Sequence, residues 1–240
     1  MIHRRHLAIV LLAGVVAACG SPLENATAGF MEQVRLGDPA AQGTYADNRE
    51  LLESAEALPI WMDALANADS PQVRRWAASL LGNIGDPSAL PGLTDAMSES
   101  RDVREAAIDA IGRFDAVDAA NAFAAAIETG SREAQGPALA ALARMGADAG
   151  SAVASVAAAA AGDEALIANT AVSTLADIGN DEATAALAGL AADTMMEMAR
   201  RQNALQALQR VDSDAARAAL AEVEATVADE EGADALRDVL

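Results

Sequence analysis

The 240-residue chain carries 36 acidic and 16 basic side chains, for a formal net charge of −20, and every basic residue is an arginine. This negative charge repels phosphate backbones and disfavours nucleic-acid binding. Residues 7–240 contain no histidine and no lysine, and Cys19 is the single cysteine. The inventory excludes Ser–His and Cys–His nucleophile pairs, Schiff-base and P-loop lysines and the usual zinc ligand sets, and no carboxylate pair stands apart. We therefore predict no catalytic residues, no metal site and no cofactor.

Residues 1–18 have the organisation of a secretory signal peptide. A basic start precedes an apolar run over residues 7–16, which is too short to span a bilayer because a spanning helix needs about 20 apolar residues. The run ends in Val16-Ala17-Ala18-Cys19. This ending resembles the lipobox of bacterial lipoproteins, and the alternative is an ordinary signal peptide with an incidental cysteine. The resemblance implies cleavage between Ala18 and Cys19 and acylation of Cys19. The residue after Cys19 is Gly20 and not Asp, so the resemblance to Gram-negative lipoproteins implies sorting to the outer membrane, facing the periplasm.

Residues 19–47 are predicted to be the lipidated cysteine and a flexible tether. Glycines and prolines recur there, with only a short apolar patch from Phe30 to Leu36. Residues 48–69 are predicted to form an atypical N-terminal helical unit. Its apolar residues are Ile60, Trp61 and Leu65.

Five segments between residues 70 and 228 resemble one another. Their anchors, spaced by 30, 31, 33 and 33 residues, are Ile84, Phe114, Met145, Ile178 and Val211. A large aliphatic residue stands three positions before each anchor and an alanine seven positions before, which places the three columns on one stripe of a helix. Gly or Asp after each anchor predicts a helix end. Asp86-Pro87 and Ser70-Pro71 predict an N-cap followed by proline at the first helical position.

The segment from Val73 to Asp86, VRRWAASLLGNIGD, is echoed from Val103 to Gly112 as VREAAIDAIG. This sequence motif resembles the HEAT-like repeats of phycobilin lyases and many bacterial scaffold proteins. The resemblance covers residues 70 to about 225 and implies an all-α solenoid of about five to six helix-turn-helix repeats. Ankyrin repeats have a similar period, but their Thr-Pro-Leu-His motif does not occur in this sequence. Residues 229–240 are predicted to be a C-terminal capping helix.

Two sets of residues are candidates for partner binding. The second helices are rich in small residues, and the resemblance implies that they line a concave, weakly charged groove. Such a groove, marked here by Ser151 and Ser155, could accept a partner helix or an extended peptide. Alternatively, alanine is simply a favourable helix former.

The second set is Arg74 and Arg104, at the start of first helices. They could form a carboxylate-binding row, or they could pair locally with loop carboxylates such as Asp86 and Asp115. In the same column Gln135 and Ala168 replace arginine in the third and fourth repeats, and Arg201 restores it in the fifth.

These observations favour a non-catalytic interaction scaffold or adaptor, lipid-anchored in the bacterial cell envelope. Its expected partners are another envelope protein and, through the acyl chain, the membrane; nucleic acid is not expected. One alternative is a lipid-anchored spacer without a specific ligand. The other is an enzyme similar to the HEAT-like chromophore lyases, which act in the cytoplasm on phycobiliproteins, whereas this chain has a predicted export signal.

Overall fold

The computed structural model describes residues 20–228 and 233–239, so the predicted signal peptide and Cys19 lie outside the described residues. Every regular element in these ranges is helical. In chain order the α-helices are α1 (Pro22–Leu36), α2 (Ala40–Asp47), α3 (Arg49–Leu52), α4 (Leu58–Asn67), α5 (Pro71–Ile84), α6 (Leu90–Ala96), α7 (Arg101–Ile111), α8 (Ala116–Thr129), α9 (Arg132–Met145), α10 (Val153–Ala161), α11 (Ala165–Ile178), α12 (Asp181–Ala192), α13 (Met198–Arg210), α14 (Asp214–Ala228) and α15 (Asp234–Arg237). Short 3-10 turns precede α4, α6 and α10, at Ala55–Ala57, Pro87–Ala89 and Gly146–Ala152.

The helices form the predicted all-α solenoid of HEAT-like repeats. The first helices of the five repeats are α5, α7, α9, α11 and α13, and the second helices are α6, α8, α10, α12 and α14. First helices pack on first helices of the next repeat, as in α5 on α7 and α9 on α11, and second helices pack likewise, as in α12 on α14. Each repeat therefore buries its apolar stripe against its neighbours.

The predicted columns face this interior. All ten residues of the large-aliphatic and alanine columns are fully buried: Leu81, Ile111, Leu142, Leu175, Leu208, Ala77, Ala107, Ala138, Ala171 and Ala204. A small side chain next to a large one lets neighbouring helices approach while the space between them is filled. Helices α5 and α7 approach closely, since a Cβ added to Gly82 would lie 2.7 Å from both Cα and Cβ of Ala110.

The predicted helix ends are also present. Gly85 and Gly179 follow α5 and α11 with φ of 70° and 61°, a left-handed conformation that glycine adopts without a Cβ clash. Asp86 accepts a hydrogen bond from the Ser88 backbone N–H at 2.9 Å, with Pro87 in the first helical position. Ser70 precedes Pro71 as expected, but its hydroxyl contacts the Gln72 side chain rather than a backbone N–H.

Residues 22–47, predicted to belong to a flexible tether, instead form α1 and α2. Ser21 and Glu24 form a reciprocal capping box: the Ser21 N–H donates to Glu24 Oε2 at 2.7 Å, and the Glu24 N–H donates to Ser21 Oγ at 3.2 Å. Phe30 is fully buried, with its ring edge-on to Trp61 and Trp76 at centroid distances of 6.1 and 5.2 Å. The tether expectation is corrected, because burial of this apolar face offsets the entropy cost of ordering the segment.

The described C-terminal residues 233–239 pack on α13. Leu236 is fully buried, Gln202 donates to the Ala235 carbonyl and Gln209 donates to the Val239 carbonyl, each at 2.8 Å. The short helix α15 thus covers the end of the last repeat, where a capping helix was predicted.

Candidate functional site

Charge is divided unequally between the two rows of helices. The first helices carry nine arginines and five carboxylates. The second helices, counted with α4 and the 3-10 turn before α10, carry ten carboxylates and one arginine, Arg217. Arg217 is paired with Asp212 and Asp214, at 3.0 and 2.6 Å. The second-helix row therefore carries a net negative charge.

The side chains of the first-helix arginine column donate hydrogen bonds to backbone carbonyls at the ends of second helices. Arg104 Nε donates to the Met97 carbonyl at 2.8 Å and its Nη2 donates to the Glu99 carbonyl at 2.7 Å, just after α6 ends. In the next repeat Gln135 Nε2 donates to the Ile127 carbonyl in the last turn of α8, at 3.0 Å. A helix leaves its last four carbonyls without partners, and these side chains satisfy them.

The first and last repeats use the same arrangement. Arg74 Nη1 donates to the Ala68 carbonyl after α4, and Arg74 Nε pairs with Glu99 at 2.6 Å. Arg201 Nε donates to the Ala191 carbonyl of α12 at 2.9 Å and is 2% exposed. The cation also lies at the negative end of the helix dipole, which stabilises its charge.

In the fourth repeat Ala168 occupies the arginine column and cannot donate a hydrogen bond from its side chain. An arginine of the next repeat donates this bond instead. Arg200 Nη1 donates to the Gly162 carbonyl at 2.5 Å, and its Nη2 donates to the Asp163 backbone carbonyl at 3.3 Å. Gly162 directly follows α10. The C-terminus of α10 is therefore capped by a cation 38 residues further along the chain.

Arg74 and Arg104, two of the predicted partner-binding residues, thus direct their guanidinium groups at the chain's own carbonyls. Arg74 also pairs with the loop carboxylate Glu99, as the local alternative expected, but neither arginine pairs with Asp86 or Asp115. Both carboxylates cap helices instead, and Asp115 accepts from two backbone N–H groups at 3.1 and 3.0 Å. Hydrogen bonds from Asp118 and Val117 lower the pKa of the Asp115 carboxyl, because they stabilise its charged form.

Three grooves run along the second-helix row. They lie between α4 and α6, between α8 and α10, and between α12 and α14, with volumes of about 360, 230 and 450 Å³. Among the residues that the structure describes, no arginine lines any of the three. Their carboxylates are, in chain order, Asp95, Glu99, Glu128, Asp163, Glu164, Asp181 and Glu222. Each groove therefore combines small apolar residues with negative charge.

The two predicted serines differ in position. Ser155 lines the groove between α8 and α10, where its hydroxyl donates to the Glu128 side chain. Ser151 is exposed on the 3-10 turn before α10 and lines none of the three grooves. Sequence reasoning did not single out the groove carboxylates, which helical spacing alone does not distinguish from other surface charges.

A polar network holds α2 and α3 to the solenoid. Glu53 accepts hydrogen bonds from Tyr45 and Asn83, each at 2.5 Å, and pairs with Arg49 at 2.8 Å. Burial raises the pKa of Glu53, but the hydrogen bonds from these three partners outweigh it, so the pKa lies below its ordinary value. Burial and the bond to Glu53 raise the pKa of the Tyr45 hydroxyl.

Residues 20–228 and 233–239 contain neither a candidate metal cluster nor a candidate membrane-spanning helix. These residues hold no group of three or more His, Cys, Asp or Glu side chains that could hold a metal ion. None of the helices in the same ranges combines the length and the apolar character needed to cross a membrane.

The repeat fold is matched by a family model. The model of HEAT repeats matches residues 28–104 and 58–143. The first match begins inside α1, so the recognised repeats include helices before residue 70. No curated protein matches the sequence.

Two solved structures are similar to this chain. Human deoxyhypusine hydroxylase in complex with glycerol is 21% identical, with a TM-score of 0.40, and the match covers 99% of this chain and 88% of that one. The complex of CpcE and CpcF of phycocyanin lyase from Nostoc is 19% identical, with a TM-score of 0.35 and coverage of 86% and 95%. Likenesses of this size do not carry an activity from one chain to another.

Proposed function

We propose that this protein is a non-catalytic interaction scaffold that binds another protein along its second helices. In this proposal it is attached to the bacterial cell envelope, at the outer membrane facing the periplasm, through an acylated Cys19. The partner is another envelope protein whose contacting surface is positively charged. The observation that carries the proposal is the row of three arginine-free grooves, each lined by small apolar residues and carboxylates.

The charge of these grooves supports a cationic partner. Exposed carboxylates without a nearby cation attract a positive surface over roughly one Debye length, about 8 Å at physiological salt. Two of the seven groove carboxylates are neutralised within the chain, since Glu99 pairs with Arg74 and Glu164 pairs with Arg132. The other five form no ion pair with any residue that the structure describes. A partner that supplied its own Lys or Arg would restore the balance.

A binding role is also supported by the chemical inventory. The part of the chain after the predicted cleavage site contains neither histidine nor lysine, and Cys19 would be consumed by lipid. Carboxylates, hydroxyls, Tyr45 and arginines remain. Among them Glu53 and Tyr45 bond each other within the polar network of α2 and α3 rather than in one of the three grooves.

The test is site-specific photo-crosslinking in cells of the source organism, with the full-length chain. A photoreactive residue at Ser155 or Ala185 reports on the second-helix grooves, and the matched control is Ser173, exposed on the first helix α11. We expect one dominant partner captured at the groove positions and not at Ser173. Equal capture of abundant neighbours at all three positions would leave a spacer without a specific ligand as the better description.

The anchor is tested separately. We expect Cys19→Ala to abolish metabolic labelling with a fatty-acid analogue and to remove the protein from the membrane fraction. Unchanged labelling would contradict lipidation at Cys19 while leaving the binding surface untouched.

A further inference from the structure

The groove between α12 and α14 is built from the same stripe of positions on both helices. The lining positions of α12 are 181, 184, 185, 188, 189 and 192, and those of α14 are 215, 218, 219, 222, 223 and 226. Each set follows the spacing 0, 3, 4, 7, 8 and 11, which is one face of a helix over three turns, about 16 Å. Seven of the twelve residues are alanine or glycine.

We propose that this groove binds an α-helix of the partner protein that presents small residues at i and i+4 and carries Lys or Arg beside them. This inference rests on the proposed function, because it names the partner segment that the second-helix row takes. The argument uses the backbone requirements of the guest, the charge of the groove and one unpartnered hydroxyl.

A helical guest fits better than an extended peptide. An extended chain would bury its N–H and C=O groups against α12 and α14, whose own backbone groups are already used within the helices. A guest helix satisfies its own backbone internally. The low walls of the groove let that helix approach closely if its own contacting residues are also small.

The charge of the groove requires a cationic guest. Asp181 and Glu222 are its charged lining residues, and neither forms an ion pair with any residue that the structure describes. Arg217, on the same helix as Glu222, is already paired with Asp212 and Asp214. A second copy of this acidic chain is a poor guest for the same reason.

One buried hydroxyl points to a ligand independently of the small-residue stripe. Thr184 lines the groove, is 2% exposed, and its Oγ1 has no hydrogen-bond partner within the described part of the chain. On the facing helix, Thr226 donates to the Glu222 carbonyl four residues earlier, at 3.0 Å. A buried polar atom without a partner is uncommon in folded proteins. A polar side chain of the guest helix would supply the missing bond.

The binding experiment uses the full-length protein in detergent and a synthetic helical peptide of about 18 residues. The peptide has Ala or Gly at every fourth position of one face and Arg on both flanks of that face. Fluorescence anisotropy of the labelled peptide gives Kd. Two control peptides carry Leu in place of the small residues or Glu in place of Arg, and we expect both to lose binding.

Three substitutions probe the groove, each with a control. Gly189 has open space where a Cβ would stand, so Gly189→Leu fills the groove without a clash in the fold, and we expect affinity to fall by about tenfold. Gly29→Leu, in an equally open position on α1, should leave affinity unchanged. Glu222→Gln should weaken binding by about two- to fivefold and reduce its salt dependence, whereas its neighbour Glu224→Gln should not.

Thr184→Val separates binding from folding. Removing an unpartnered buried hydroxyl should raise Tm, while the loss of its bond to the guest should lower affinity. A raised Tm with unchanged affinity would show that Thr184 does not contact the guest and would overturn that step of the inference.

The remaining outcomes distinguish this inference from the proposed function. Equal binding by the Leu peptide, or no effect of Gly189→Leu, would overturn the helix-binding groove. Crosslinks to a partner at Ser155 but not at Ala185 would also overturn it while supporting the scaffold. Concentration-dependent dimers in sedimentation experiments, abolished by Gly189→Leu, would show that a second copy is the guest and refute the inference. Absence of any partner at either position would refute both proposals.

Discussion

Replacing Gly82 with alanine tests how closely the first helices approach one another. The new Cβ would lie 2.7 Å from Cα and Cβ of Ala110, and both atoms belong to the α7 scaffold rather than to a flexible side chain. Separating α5 from α7 to relieve this contact should cost about 1–3 kcal/mol, as overpacking of a core generally does. Against this, alanine is favoured over glycine inside a helix by about 1 kcal/mol. We expect a net loss of about 0–2 kcal/mol.

The helix-propensity contribution is removed by a control variant, Gly29→Ala. Gly29 is also inside a helix, α1, but nothing lies within 4 Å of the Cβ position. This variant should therefore be more stable than the parent by about 1 kcal/mol. The free energies of unfolding of the two variants should differ by about 1–3 kcal/mol, which is the cost of the Gly82 contact alone.

The assay is urea unfolding followed by tryptophan fluorescence. The chain has two tryptophans, Trp61 in α4 and Trp76 in α5, so the signal reports on the region around Gly82 even if distant repeats unfold separately. Equal stabilisation by Gly82→Ala and Gly29→Ala would mean that α5 and α7 are farther apart than the structure has them. The close alanine-lined packing of the solenoid would then be incorrect at this interface.

Three further changes test the core, the caps and the polar network. Ala107→Leu should overpack a fully buried column position and lower urea-unfolding stability by about 1–3 kcal/mol; a neutral result would mean that this column does not face a neighbouring helix. Arg104→Ala should cost about 1–3 kcal/mol in the same assay, and Arg104→Gln should cost less, because Gln135 makes the equivalent bond in the next repeat; equal losses would contradict the capping role. Folding lowers the pKa of Glu53, so the ionised Glu53 carboxylate should stabilise the folded state above about pH 4.5. This stabilisation should be lost as pH falls below that value. Tm measured against pH should depend less steeply on pH in Glu53→Gln, and Glu50→Gln, an exposed control, should keep the parent profile.

The repeats could be predicted because their signals are local and recur. Each column is repeated five times at helical spacing, so the alanine at Ala77 and the leucine at Leu81 predict burial together with their counterparts. Glycine at positions 85 and 179 predicts the ends of α5 and α11 because the left-handed conformation there favours glycine.

The N-terminal helices were missed because composition outweighed a short motif. The glycines and prolines of residues 19–47 favoured a tether, yet Ser21 and Glu24 have the Ser-x-x-Glu spacing of a capping box, and Gly37 ends α1 with φ of 67°. This signal was present in the sequence. The partners of Phe30 were not, because Trp61 and Trp76 are brought to it only by tertiary packing.

The hydrogen-bond acceptors of the arginine side chains could not be predicted either. A first-helix arginine beside loop carboxylates suggests local ion pairs, but Arg104 reaches the end of the preceding second helix and Arg200 reaches back to Gly162 across a repeat boundary. Backbone carbonyls are identical at every residue, so no sequence pattern identifies them as acceptors. The tertiary packing of successive helices determines which carbonyls lie within reach.

These caps also determine the electrostatics of the second-helix row. An arginine that caps a second helix belongs to a first helix and lies at the end of the groove rather than along it, as Arg201 does at Ala191. The cations therefore stabilise the repeat without neutralising carboxylates such as Asp181 and Glu222. Moving one cation into the groove should reverse this division: Ala185→Arg would place a guanidinium on the lining of the α12–α14 groove. If the negative groove is what selects the partner, this single change should weaken binding more than Ser173→Arg, which adds the same charge on the first helix α11.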